Sequence, residues 1–170
     1  MGSEQGPSPA LAVAGRRVPA QGHAGHGPLG GKMPFLVALL AGGGFWLLLG
    51  LTTSLTPLPW CQVASWPFLS LVLWQPVVEE ILFRGILQGL FLRFPWGKRS
   101  LWGISVANVL TSLLFVFGHG WQHPWEWAVA VFFPSLLFGW FRDVYARITP
   151  AVVLHMVYNA GYFLLTGVPI

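Results

Sequence analysis

Residues 63–91, VASWPFLSLVLWQPVVEEILFRGILQGLF, constrain this chain more than any other stretch. They are long and apolar enough to cross a bilayer, for which a helix needs roughly 20 apolar residues. Yet Glu79, Glu80 and Arg84 fall within the run. An ionisable side chain at the bilayer centre costs roughly 2.5–3.5 kcal/mol on insertion scales. Glu80 and Arg84 are four residues apart, so they share a helix face and offset each other's burial. Glu79 points about 100° away from Glu80 on an α-helix and has no local cation. Carboxyls held unpaired in an apolar medium exchange protons nearer neutral pH, which suits general acid–base work. Structural pairing accounts for Glu80 and Arg84; it accounts poorly for Glu79.

The rest of the chain surrounds that helix with others like it. Hydrophobic residues make up 55% of the 170 and charged ones 8%, the composition of a polytopic membrane protein. The net charge of +4 is no nucleic-acid footprint, because the basic residues sit between apolar runs. A lone cysteine, Cys61, excludes an intramolecular disulfide and a cysteine-rich metal site. Residues 1–32, rich in Gly, Pro, Ala and Ser, read as a disordered tail, with His23 and His26 a weak metal signal. Residues 33–170 form one membrane-embedded domain.

Five apolar segments follow one another: 34–51, the central 63–91, 101–119, 126–141 and 150–170. The fold expected is an all-α, polytopic transmembrane bundle of about five spanning helices. Gly42, Gly43 and Gly44 mark a packing face on the first. Pro67 and Pro76 interrupt the second, and Pro76 frees a backbone carbonyl that needs another partner. Lys and Arg occupy the tail, the 93–100 loop and the 142–149 link, while the links at 52–63 and 120–125 carry none. The positive-inside rule then puts the N-terminus in the cytoplasm and the C-terminus outside. Trp60, Trp66, Trp121, Trp125 and Trp127 gather at one interface, with Trp96, Trp102 and Trp140 at the other.

Three helices bring polar groups that lipid disfavours. Besides Glu79, Glu80 and Arg84, the third segment ends in His119, four residues after Phe115 and on its face. The fifth carries His155 and Asn159, also four apart, and burying both without partners costs several kcal/mol, roughly. These groups are expected to converge. As an enzyme, Glu79 takes a proton from water while His119 holds and polarises that water. His155 and Asn159 donate hydrogen bonds to the oxyanion formed on a peptide carbonyl. Glu80 and Arg84 fix the helix and support Glu79. No Ser-His-Asp set is apparent, and no HExxH helix. The expected cofactor is none, although Glu79, His119 and His155 also compose a zinc ligand set, which stays open.

EEILFR at 79–84, FVFGH at 115–119 and HMVYN at 155–159 resemble the EExxxR, FxxxH and HxxxN motifs of the CAAX-protease and bacteriocin-processing family of intramembrane proteases. FRG at 83–85 and the TP-initiated helix at 149–150 add to the match, which covers roughly residues 64–165. The resemblance implies a glutamate-type intramembrane endopeptidase. It implies Glu79 as the water-activating carboxylate, His119 beside it, and His155 with Asn159 at the oxyanion. It implies a membrane-anchored protein or peptide substrate within the lipid bilayer, and a short bacterial member of the inner membrane. Prenyl-processing members have more spans than this chain. Two other readings compete. A proton- or ion-coupled transporter would relay charge through Glu79, His119 and His155, but no inverted repeat is evident. A non-catalytic member of the same family would act as an immunity or binding protein.

One expectation strains the geometry. On straight helices His119 lies roughly 27 Å from the basic end of its segment and His155 roughly 9 Å. Tilt, kinks at Pro134 and Pro150, or extension of the fourth helix past Arg142 must reconcile them.

Overall fold

The computed structural model describes residues 32–52 and 54–168. Most of the expected tail, with His23 and His26, lies outside the described residues; Lys32 is already helical. Among the described residues there are five helices, in the number and order of the five apolar segments: α1 Lys32–Thr52, α2 Trp66–Phe91, α3 Val106–Gly120, α4 Trp125–Tyr145 and α5 Thr149–Thr166. The chain is thus an all-α membrane bundle. α1, α2 and α4 are long and apolar enough to cross a membrane. α3 has only 15 residues, about 22 Å at 1.5 Å per residue, and α5 is made more polar by His155 and Asn159.

The third segment does not begin as a helix at Leu101. Ser100–Leu101 and Ile104–Ser105 form a two-stranded antiparallel hairpin, β1 and β2. Its two-residue turn places Trp102 at φ 52° and Gly103 at φ 79°. That pair of positive values is the turn whose twist suits a tight hairpin. Ser105 then caps α3, its hydroxyl accepting from the Asn108 N–H at 3.0 Å. Starting at Val106 shortens the helix by five residues and draws His119 about 7.5 Å closer to its start. This removes less than half of the depth mismatch of roughly 18 Å.

Two proline expectations are also revised. Pro67 stands in the first turn of α2 and Pro150 in the first turn of α5, where a missing N–H costs nothing. The kink expected at Pro134 is present: α4 breaks between Ala130 and Phe132, four residues before and two before that proline. Pro134 has no N–H to give the Ala130 carbonyl, so the helix is interrupted there.

α4 packs between α3 and α5, α5 contacts α1 and α2, and α2 runs antiparallel to α3. One apolar cluster, Ala38, Phe138, Phe141, Ala151 and Leu154, joins α1, α4 and α5. A second, Leu58, Phe68 and Val72, seats the start of α2 against Phe163 and Leu164. The ends sort as the charge pattern requires. Lys32 borders one groove with Tyr145 and Thr149, while Gln88 meets Asp143, so the starts of α1 and α5 share an end with the close of α2 and α4. At the opposite end Trp60, Trp66 and Trp121 are exposed and Trp127 packs on Tyr162.

Candidate active site

The two glutamates sit where α2 departs from ordinary α geometry. Wide turns run over Ser70–Trp74 and again over Ile81–Leu87, leaving Gln75–Glu80 as a short α segment between them. Such bulges gather at functional sites, because they rotate side chains out of the regular 100° progression. Pro76 has a part in the first. The Gln75 N–H bonds the Ser70 carbonyl, and in that wide register the next donor, to Leu71, would be the absent N–H of Pro76. Asn159 replaces it: its Nδ2 donates to the Leu71 carbonyl at 2.9 Å. The freed carbonyl foreseen at Pro76 is therefore satisfied by α5, which fixes α5 against α2.

Glu80 and Arg84 are both fully buried and paired at 3.1 Å. The guanidinium also donates to the Ser135 carbonyl at 2.9 Å and the Ser135 hydroxyl at 2.7 Å. It lies over the ring of Phe115 at 4.9 Å and that of Phe138 at 5.5 Å. Ring faces attract a cation, so the charge is sheltered by α3 and α4 as well as by its carboxylate.

His155 ties the pair to Glu79. Its Nδ1 lies 2.8 Å from Glu80 Oε1, and its Nε2 lies 3.7 Å from Glu79 Oε2. One imidazole thus faces two carboxylates, with Phe138 stacked on its ring at 5.1 Å. Donation from Nδ1 to Glu80 leaves Nε2 as the working nitrogen toward Glu79. The two carboxylates differ in access: Glu80 is sealed, whereas the Glu79 side chain is 28% exposed. Glu79 is the one a ligand can reach.

His119 stands one turn beyond. The Phe83 and Phe115 rings meet at 4.9 Å, so the helix that carries His119 packs against α2 next to its glutamates. The His119 ring packs on Phe115 at 4.3 Å, and its Nδ1 donates to the Phe115 carbonyl at 3.0 Å. Nε2 is then the free position. Glu79 and His119 make no direct hydrogen bond or ion pair with each other. Among the described residues no group of three or more His, Cys, Asp or Glu side chains is placed to hold a metal ion.

Several partners were not singled out from sequence. Gln88 continues the 80, 84 spacing, donating to the Gly139 carbonyl at 3.0 Å and Asp143 Oδ1 at 2.7 Å. Ser135, Gly139 and Asp143 carry the same spacing on α4. Asn108 bridges to the Leu136 carbonyl at 2.9 Å and accepts from Ser112 at 3.2 Å. The four-residue repeat of polar or small residues on both helices was the available signal.

The fold and these side chains define a helical membrane protein with a buried carboxylate–histidine centre. The family model described as type II CAAX prenyl endopeptidase Rce1-like matches residues 60–161, and the chain belongs to that family. No curated protein and no solved structure matches the chain. The family points to a protease acting on a membrane-associated protein.

Proposed function

We propose that the chain is a glutamate-type intramembrane endopeptidase, cutting a peptide bond near the C-terminus or membrane anchor of a protein substrate. The observation that carries this is the placement of His155 between a sealed Glu80 and an accessible Glu79. Glu79 takes a proton from water, and the water oxygen attacks the substrate carbonyl. His119, anchored through Nδ1, offers Nε2 to hold that water. The negative charge that develops on the carbonyl oxygen is met by N–H of protonated His155 at Nε2 and by the second N–H of the Asn159 amide. Glu79 then returns its proton to the leaving nitrogen as the C–N bond breaks. Glu80, Arg84 and Phe115 hold the centre in register. No step passes through a metal ion. With Lys and Arg at one end of the bundle, that end and the N-terminus face the cytoplasm, in a bacterial inner membrane.

The test is cleavage of co-expressed membrane-anchored substrates, read by gel shift, with the amount of inserted protein measured alongside. Glu79→Gln and His119→Ala are each expected to abolish the product at equal protein level. Cleavage retained in both variants would overturn the assignment.

A further inference from the structure

Glu80, Arg84 and Gln88 stack one turn apart on α2, all fully buried. Each leaves one polar atom without a partner: Glu80 Oε2, Arg84 Nε and Gln88 Oε1. Thr111 Oγ1 on α3, also buried, is in the same condition. The orientation of the Gln88 amide is fixed, because its nitrogen donates to two acceptors, Gly139 O and Asp143 Oδ1. Its oxygen must point elsewhere. Both terminal nitrogens of Arg84 are likewise engaged, by Glu80 and Ser135.

The register brings Thr111 to the same place. Phe115 meets Phe83 and lies under the Arg84 guanidinium. Antiparallel packing therefore sets Thr111, one turn back on α3, level with Gln88, one turn on along α2. The cluster offers one donor, Arg84 Nε, two acceptors, Gln88 Oε1 and Glu80 Oε2, and a hydroxyl that serves as either. Residues four apart on a helix are separated by about 6 Å along the axis. A water between two groups spans two hydrogen bonds of about 2.8 Å each. Buried water characteristically makes about three bonds to polar groups that otherwise lack partners.

We propose that this seam is a binding site for internal water, one molecule held by Arg84 Nε, Gln88 Oε1 and Thr111 Oγ1, continued toward Glu80 Oε2. Asp143, half-buried where the basic links converge, forms its mouth. The role of the seam rests on the protease reading: hydrolysis consumes one water per turnover, and the path delivers water or its protons to the Glu80–His155–Glu79 group from the basic end of the bundle.

Two measurements decide it. A structure of the full chain in a lipid nanodisc, at a resolution that shows other buried waters, is expected to have density within hydrogen-bond distance of those three atoms. A dry seam overturns the site, whatever the protein cleaves. Thr111→Val keeps the side-chain shape and removes only the hydroxyl. It is expected to lower kcat roughly five- to tenfold, the effect of one hydrogen bond, with KM unchanged and Thr111→Ser restoring the rate. Wild-type kcat in Thr111→Val overturns the delivery role. Wild type that cleaves no substrate refutes the protease reading and with it the delivery role, while the density still decides the water site.

Discussion

The contact between α1 and α5 and the contact between α2 and α4 solve one problem by opposite means. Helices in lipid gain nothing from hiding apolar surface, so they associate through close fit or through hydrogen bonds. α1 uses fit. The Tyr158 ring lies against Gly42 and the Trp46 ring against Gly161, and the Tyr158 hydroxyl donates to the Ala38 carbonyl at 2.6 Å. α4 uses bonds. Arg84 and Gln88 reach its carbonyls and side chains at Ser135, Gly139 and Asp143. The bonded contact adjoins the Glu80 carboxylate, which pairs with Arg84 and faces His155.

The difference is broken most severely by taking the cation out of the bonded contact. Arg84→Met leaves Glu80 buried beside His155 and strands the Ser135 hydroxyl. Removing one partner of a buried pair destabilises by about 3–5 kcal/mol. The expected outcome is a large loss of inserted, folded protein, measured as the unfolding midpoint in detergent. A midpoint near wild type would mean that fit, not the ion pair, holds α2 to α4.

A smaller effect is expected at the neighbouring contact of α4 with α3, which combines a hydrogen bond with close approach. The Asn108 side chain occupies the space where a side chain at Gly139 would begin. Gly139→Ala forces Asn108 off the Leu136 carbonyl or moves α4, at a cost of about 1–3 kcal/mol. Thermal unfolding measures it, and Asn108→Ala combined with Gly139→Ala should recover part of the loss.

On the fitted side, Tyr158→Phe removes one hydrogen bond and leaves the ring. A loss of about 0.5–1.5 kcal/mol is expected, with cleavage little changed. Cleavage falling as far as in a variant of the α2–α4 seam would show that α1 is coupled to the site.

Legibility followed the distance over which each interaction acts. The Glu80–Arg84 pair spans one helical turn and was readable from its spacing, as were the order of the five segments and the basic links between them. The three short motifs were readable too. The bridge from His155 to Glu80 crosses 75 residues, and no local pattern specifies it. Nor did spacing show that Asn159 would bond Leu71, because that depends on a wide turn just before Pro76. Trp102 lies in an apolar run that reads as helix, yet its positive φ and 92% exposure belong to a hairpin tip. Local propensity was overruled there by the turn that Gly103 permits.

The smallest expected effect separates neighbours within the glycine run of α1. A Cβ on Gly42 would lie 2.6 Å from the Tyr158 ring, whereas nothing comes within 4 Å of one on Gly43 or Gly44. Only the first of the three is used by the α1–α5 contact, although all three were expected to mark the face. Gly43→Ala should therefore fall within about 0.5 kcal/mol of wild type, like other substitutions away from packed features. The unfolding midpoint and the cross-linking state of the variant in membranes measure it. A loss as large as that of Tyr158→Phe would mean that the outer face of α1 is itself a contact, one made by a molecule other than this chain's own α5. The glycine run would then serve two interfaces, and close fit would extend beyond the single bundle.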